Sequence, residues 1–401
     1  MTTYLIVGNG IAGNAAAETI RRYDPQGAIH LFSREAHPFY YTPALPEVLA
    51  GAKEVGQIII HPPAWYEKHR IEFHPNTEIT GGDAGAKFVS DKSGSRYPYD
   101  RLLLATGSNS FVPPIRGADL PGVLTLRTLD DARRIKALAA AARRAVLIGG
   151  GLLGLEAGNG LRRAGLAVEV VEFFPRLLPR QLDAAGAAIL EKRLKAMGFS
   201  FHLGAKTQEI LAADGGLSVV LEGGPSLAAD LVLISAGVRP EVSLAKALGA
   251  EVDKGVKVDD RLQTSLPEVY AAGDLVEHRG RLYGIWPAAQ EQGRVAGANM
   301  AGQHETYSGT VPANTLKVAG IDLMAAGDID AEGKLEALVA ADPDNQTYRK
   351  LVLQDHRLVG VILLGDLRGS AEIQAAIRAG REVLALKADL ARPDFDFRRL
   401  L

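Results

Sequence analysis

The feature that most constrains this chain is a repeat. Tyr4-Leu-Ile-Val-Gly-Asn-Gly-Ile-Ala-Gly13 is echoed by Ala145-Val-Leu-Ile-Gly-Gly-Gly-Leu-Leu-Gly154. Each copy runs from a short apolar strand into G-x-G-x-x-G and then into a helical segment, Asn14 to Tyr23 in the first and Leu155 to Ala164 in the second. A β-rich run follows each helix, Ala28 to Phe32 and Ala167 to Val171. Strand, glycine turn, helix and strand is the context that gives this motif meaning. Gly8 and Gly149 permit the tight turn, Gly10 and Gly151 let backbone approach a diphosphate, and Gly13 and Gly154 let helix pack close to strand. Each helix N-terminus adds about half a unit of positive charge facing the phosphates. One copy alone is a weak signal. Two in matched contexts predict two dinucleotide sites.

A second echo supports the first. Leu102-Leu-Leu-Ala-Thr-Gly107 and Leu231-Val-Leu-Ile-Ser-Ala-Gly237 are apolar strands ending in small-residue turns, and Val269 to Asp274 is a third, ending in a carboxylate. Such ends present backbone N–H groups at the carboxyl edge of a parallel sheet, where ligands bind. The expected division is residues 1–112 with 246–310 as one nucleotide domain and 113–245 as the other. Val112-Pro-Pro-Ile marks the crossover. From 311 to 401 the pattern changes to short strands and a helix near Ser370 to Arg378, a smaller α+β domain. The fold class is therefore α/β, with two Rossmann-like domains and a C-terminal α+β domain.

Composition narrows the function. Lysine and arginine total 45 against 47 acidic residues, so no global field favours nucleic acid or an anionic membrane. Cysteine is absent, which excludes disulfides, thiolate metal sites, iron–sulfur clusters and electron storage in a Cys pair, and fits a reducing compartment. None of the nine histidines forms an H-x-x-x-H pair, and no metal is expected. Met1, Thr2 and Thr3 lead straight into the first strand, without the pattern of a signal peptide. No apolar run reaches the ~20 residues of a membrane span, so a cytoplasmic location is expected.

The strand ends distinguish the two sites. In the second unit Val170-Val171-Glu172 places a carboxylate about 20 residues past the first glycine, where it accepts hydrogen bonds from ribose hydroxyls. It would repel a 2′-phosphate by up to about 4 kcal/mol per charge pair at 4 Å and intermediate dielectric. NADH is therefore expected over NADPH. In the first unit the equivalent position is Ser33, followed by Arg34 and Glu35, and Glu35 can take the ribose role. Asp274, after the third strand, is placed for a flavin's ribityl hydroxyls, which makes the first site one for FAD.

With these residues in view, the chain resembles the two-dinucleotide FAD/NAD(P) oxidoreductases of glutathione-reductase type. Within them it is similar to rubredoxin reductases, the N-terminal part of nitrite reductases and ferredoxin reductases of dioxygenase systems. The carriers are Val7-Gly-Asn-Gly-Ile-Ala-Gly13, Tyr40-Tyr-Thr-Pro43, Trp65-Tyr-Glu-Lys68, Ala105-Thr-Gly107, Gly149-Gly-Gly-Leu-Leu-Gly-Leu-Glu156, Ala271-Ala-Gly-Asp274 and Thr315-Leu-Lys-Val318. The resemblance implies FAD contacts from Gly8, Gly10, Ile11, Ala12, Gly13, Arg34, Glu35, Ile79, Ala105, Thr106, Gly107, Arg127, Asp274 and Trp286. It implies NAD contacts from Gly149, Gly151, Leu153, Gly154, Glu172 and Gly237. Lys317 and Glu156 would lie near the flavin ring as the catalytic side chains. Thr42 stands where relatives usually carry Arg or Lys, so a charged contact to the FAD phosphates is missing there or supplied from elsewhere.

The disulfide-reducing branch carries its redox cysteine on the helix after Pro43. Here that segment reads Ala44-Leu-Pro-Glu-Val-Leu-Ala-Gly51, without sulfur. Thiol-based reduction is excluded, and electrons must leave directly from flavin. Hydride transfer from nicotinamide C4 to flavin N5 is then mainly a positioning problem for the protein. A helix starting near Trp286-Pro287 can aim its positive end at the reduced flavin, and Lys317 offers a second cation. The expected acceptor is a small carrier protein of rubredoxin or ferredoxin type. The alternatives are a quinone reductase, for which the C-terminal segment shows no clear apolar face, and a non-catalytic flavin redox sensor.

Overall fold

The computed structural model describes residues 1–310, 313–342, 344–392 and 394–401, leaving aside the side chains of 313–318. The chain forms two compact units. The first comprises Met1–Thr42, Glu54–Asn109 and Val238–Thr310, and the second Pro43–Lys53, Ser110–Gly237 and Val311–Leu401.

In the first unit five parallel strands stand in the order Val269–Ala271, Arg101–Leu104, Thr3–Val7, Ala28–Phe32, Ile71–His74. The central strand sends alternate side chains to opposite faces. Tyr4 and Ile6 join a core with helix Ile11–Tyr23, while Leu5 and Val7 join Phe32, Ile79 and Val89 on the other side. Burial on both faces is why this strand reads as a continuous apolar run. Helix Trp286–Met300 lies against helix Ile11–Tyr23 with almost no side chain between them. A Cβ on Gly293 would stand 2.2 Å from the Ala12 carbonyl oxygen, and one on Gly297 2.6 Å from that of Ala16. A three-stranded antiparallel meander, Ile79–Asp83, Phe88–Asp91 and Arg96–Pro98, contributes Ile79 and Val89 to the opposite core. The unit resumes at Val238 and so takes in helix Ser243–Ala247.

The second unit repeats this design. Its parallel sheet has the order Phe199–Leu203, Ala167–Glu172, Arg144–Ile148, Leu231–Ile234, Val123–Leu124. Ala145 and Leu147 point to one core and Val146 and Ile148 to the other. Its own meander is Thr207–Ala213, Gly216–Leu221 and Ser226–Ala229. The C-terminal stretch builds a separate antiparallel sheet, Ala313–Val318, Ile321–Gly327, Arg357–Leu364, Thr347–Gln354, Glu336–Asp342, packed with helix Ser370–Ala379.

That C-terminal sheet is tied into the second unit by a buried polar group. Asp183 caps helix Ala184–Ala196 by accepting the Gly186 N–H at 2.9 Å. Its other oxygen accepts the Tyr348 hydroxyl at 2.7 Å and lies 3.3 Å from Lys350 Nζ. Lys350 is 4% exposed and also donates to the Asp330 carbonyl at 2.7 Å. Burial and the neighbouring Asp183 carboxylate together push the Tyr348 phenol well above its usual range.

Candidate functional site

The two glycine turns divide their tasks in the same way. Gly8 has φ +124° and Gly149 φ +118°, a region open only to glycine here. A Cβ on Gly8 would stand 2.0 Å from the Ala105 carbonyl oxygen, and one on Gly149 2.2 Å from that of Ser235. A Cβ on Gly13 would stand 2.0 Å from the Gly8 carbonyl oxygen, and one on Gly154 2.6 Å from that of Gly149. At Gly10 and Gly151, by contrast, a Cβ meets no protein atom within 4 Å. The first and third glycines are therefore demanded by the fold and the second is not. The space beside it suits a ligand that must touch backbone. No described side chain caps helix Ile11–Tyr23 or helix Leu152–Arg163, whose first N–H groups lack acceptors within the helix. Both turns thus fit a diphosphate. Ile11 and Ala12 open the first helix, and Leu153, 42% exposed, lies in the first turn of the second.

In the first unit the turn is held by residues far away in sequence. The Asn14 amide donates to the Asn9 and Gly10 carbonyls at 3.1 and 3.0 Å and to Asn9 Oδ1 at 2.9 Å. His61 Nδ1 lies 2.9 Å from Asn14 Oδ1, and the Tyr66 hydroxyl donates to Asn9 Oδ1 at 3.0 Å. Sequence reasoning missed Asn9, Asn14, His61 and Tyr66 as a clamp. The Trp65–Lys68 run was noticed only through the resemblance.

The remaining residues of the expected FAD site lie mostly at the carboxyl ends of the same strands. Arg34 is exposed and donates to Asn109 Oδ1 at 2.7 Å. Glu35 is half-buried and accepts the Tyr40 hydroxyl at 2.7 Å. Ile79 is buried at the start of its strand. Ala105, Thr106 and Gly107 follow the strand Arg101–Leu104, with Thr106 Oγ1 donating to the Glu241 carbonyl at 2.7 Å and Gly107 at φ +72°. Asp274 Oδ2 accepts Ser108 Oγ at 2.7 Å, and Gly273 N–H donates to the buried Gln292 at 2.8 Å. Ser108 and Gln292 were not foreseen. Trp286 begins its helix and stacks on Phe39 at 5.9 Å, while Tyr41 meets its edge at 5.0 Å. Phe39 and Tyr40 are buried, whereas Tyr41 is 43% exposed. Thr42 is half-buried at the end of the unit's first segment. Arg127 belongs to the second unit, where its backbone N–H donates to Asp131 at 3.0 Å.

In the second unit Glu172 is 6% exposed. One carboxylate oxygen accepts the Gly150 N–H at 2.6 Å and the other the Phe174 N–H at 2.8 Å, so the residue braces the glycine turn. Gly237, at φ +99°, closes the neighbouring strand end. Glu156 lies on the glycine-turn helix and accepts the Ala319 N–H at 3.2 Å. Burial, with a smaller contribution from Glu47, holds its carboxyl above the usual range. Lys317 stands in the strand Ala313–Val318, and its side chain lies outside the described part of the structure. The helix Leu45–Leu49 carries no cysteine, as nowhere does the chain.

Two parallel sheets, each with an open glycine cradle at its carboxyl edge, define a two-nucleotide oxidoreductase. Residues 2–293 match the family described as pyridine nucleotide-disulphide oxidoreductase, and the chain belongs to it. Residues 312–381 match the rubredoxin NAD+ reductase C-terminal domain. The family implies FAD and a nicotinamide dinucleotide, which agrees with the two cradles. A nitrite reductase (NAD(P)H) of Bacillus subtilis is 36% identical over 90% of this chain and 45% of its own length. The rubredoxin-NAD(+) reductase of Pseudomonas putida is 32% identical over 88% of this chain and 94% of its own. A ferredoxin reductase from Rhodopseudomonas palustris superimposes with TM-score 0.91 at 26% identity, covering 100% of this chain and 99% of that one. The chain spans about half, or less, of the length of the first curated relatives it matches. Among the described residues, no helix is long and apolar enough to cross a membrane.

Proposed function

We propose that the chain is an FAD-dependent NADH oxidoreductase that reduces a small electron-carrier protein of the rubredoxin or ferredoxin class. The observation that carries this reading is the pair of glycine cradles, each open at its second glycine, in a chain without cysteine. When bound, FAD supplies the conversion between two-electron hydride chemistry and one-electron delivery. The chain's own contribution is positioning. The turn around Gly10, clamped by Asn14, His61 and Tyr66, would hold the FAD diphosphate, with Glu35 at the ribose and Asp274 at the ribityl chain. The turn around Gly151 would hold the diphosphate of NADH, with Glu172 presenting charge to its ribose. Burial shifts the Glu156 carboxyl towards its neutral form. The names of the Pseudomonas putida and Rhodopseudomonas palustris proteins, a rubredoxin-NAD(+) reductase and a ferredoxin reductase, support the acceptor class.

Anaerobic stopped-flow spectroscopy tests both halves. Flavin absorbance should bleach faster with NADH than with NADPH, and rubredoxin or ferredoxin should reoxidise it faster than a soluble quinone or oxygen. Glu172→Gln removes the charge and keeps one oxygen for the Gly150 N–H, at the cost of setting its NH2 against the Phe174 N–H, and it should narrow the NADH/NADPH ratio. A colourless protein that takes up no FAD would overturn the whole reading. An unchanged ratio would overturn the role of Glu172 alone.

A further inference from the structure

We propose that His30, Glu72 and His74 form a binding site for a divalent transition-metal ion, zinc in the first instance, at the edge of the first unit's parallel sheet. The three side chains come together through strand register. His30 pairs with Glu72 across the strands Ala28–Phe32 and Ile71–His74. His74 lies two residues beyond Glu72, so all three project from the same face. His30 Nδ1 and His74 Nε2 are 3.2 Å apart, and each lies 3.3 Å from one oxygen of Glu72. A tetrahedral ion with bonds of about 2.0–2.1 Å sets its ligand atoms about 3.3–3.4 Å apart, so the donors already have the spacing that such an ion needs. Two imidazoles and one carboxylate suit zinc and its neighbours rather than calcium or magnesium.

The group is also held in place. The His74 ring stacks on buried Phe32 at 4.4 Å and 10°, and Tyr97 meets both rings edge-on. The Ser33 N–H donates to the His74 carbonyl at 3.0 Å, which fixes the end of the strand. Burial is the main cause holding the His74 imidazole below the usual histidine range. The Glu72 side chain is 63% exposed, which leaves a path for the ion and a position for water as a fourth ligand. A hydrogen bond between the rings would account for one of the three contacts. Two ring N–H groups donating to the two Glu72 oxygens would account for the others, and the zinc titration separates that arrangement from a metal site.

Tag-free holoprotein, stripped with a chelator and desalted, should be titrated calorimetrically with zinc chloride at neutral pH. One equivalent should bind with micromolar or tighter affinity. X-ray absorption at the zinc edge of the parent protein should show two imidazoles in a first shell at about 2.0–2.1 Å. His74→Ala and Glu72→Gln should each weaken binding by more than the roughly 10–100-fold that losing an outer-shell partner costs. His304→Ala, at an exposed histidine outside the group, should leave it unchanged. Lack of saturable binding, a zinc shell without imidazole, or binding undiminished in a His74→Ala protein that keeps its flavin would each overturn the proposal.

Discussion

Gly10 and Gly13 stand three residues apart in one turn, and a methyl group on each should have opposite consequences. Gly10 has φ −83° and ψ −172°, extended backbone that any residue adopts, and its Cβ would meet no protein atom within 4 Å. Replacing it by alanine restricts the unfolded chain, a gain of about 0.4–1 kcal/mol, and weakens the helix cap by a comparable amount. The FAD-free protein should therefore keep its stability to within about 1 kcal/mol. The space that the methyl enters is the one assigned to the FAD diphosphate. Overpacking a close contact costs about 1–3 kcal/mol, so FAD should bind roughly 5- to 150-fold more weakly. In Gly13→Ala the new carbon lies 2.0 Å from the Gly8 carbonyl oxygen and 3.2 Å from the Ile6 side chain. The helix must move off the strand, and about 3 kcal/mol or more is lost from folding whether or not FAD is present. Thermal unfolding of the FAD-free protein, paired with a fluorescence titration of FAD, separates the two effects. A Gly10→Ala protein that binds FAD as tightly as its parent would refute this assignment of the turn. So would one whose FAD-free form melts as low as that of Gly13→Ala.

Lys350→Met removes the ammonium beside the buried Asp183 carboxylate and should destabilise the second unit by about 3–5 kcal/mol. A denaturation midpoint matching the parent's would show that Tyr348 and the Gly186 N–H satisfy Asp183 without Lys350. Glu156 gives a pH-dependent prediction. Because its folded carboxyl is raised, the folded state holds the proton more strongly between the ordinary glutamate pKa and the raised one. Stability therefore falls as pH rises through that window, and the penalty is complete above it. Glu156→Gln keeps an acceptor for the Ala319 N–H and should raise the melting temperature near pH 7–8, a gain that shrinks as pH falls through that window and is gone below about 4.5. A gain that persists in acid would place its cause elsewhere.

The repeated core of the fold was legible because it depends on local signals. The strands around Val7, Ile148, Leu104 and Ile234 are continuous apolar runs, and the glycines that follow them are required by contacts within a few residues or with the next strand end. The two meanders were not read. Ile79–Asp83 contains two consecutive glycines, and Phe88–Asp91 is only four residues long, so neither shows a clear strand period. The clamp on the first turn was invisible for another reason: His61 and Tyr66 reach Asn14 and Asn9 from about 50 residues away. The histidine cluster is not legible as a motif because no helical spacing joins its members. Parallel strands bring His30 and His74 together by register, which a single sequence does not disclose.

Glu172 braces the fold at the place where the proposed function needs it for the ligand. Its position at a strand end suggested a carboxylate turned towards ribose, yet both oxygens hold backbone N–H groups, one of them inside the glycine turn. A carboxylate oxygen can accept more than one hydrogen bond, so bracing the turn does not exhaust it. Removing the side chain would then loosen the turn as well as the ribose contact, and the two losses would be confounded. The first unit arranges this differently. Ser33 takes the strand-end position, and the Glu35 carboxylate, proposed for the ribose, is held by the Tyr40 hydroxyl outside the turn. The same backbone device is thus braced by a carboxylate in the second unit and by the Asn14 amide in the first. The turn around Gly10 should tolerate loss of Glu35 far better than the turn around Gly151 tolerates loss of Glu172.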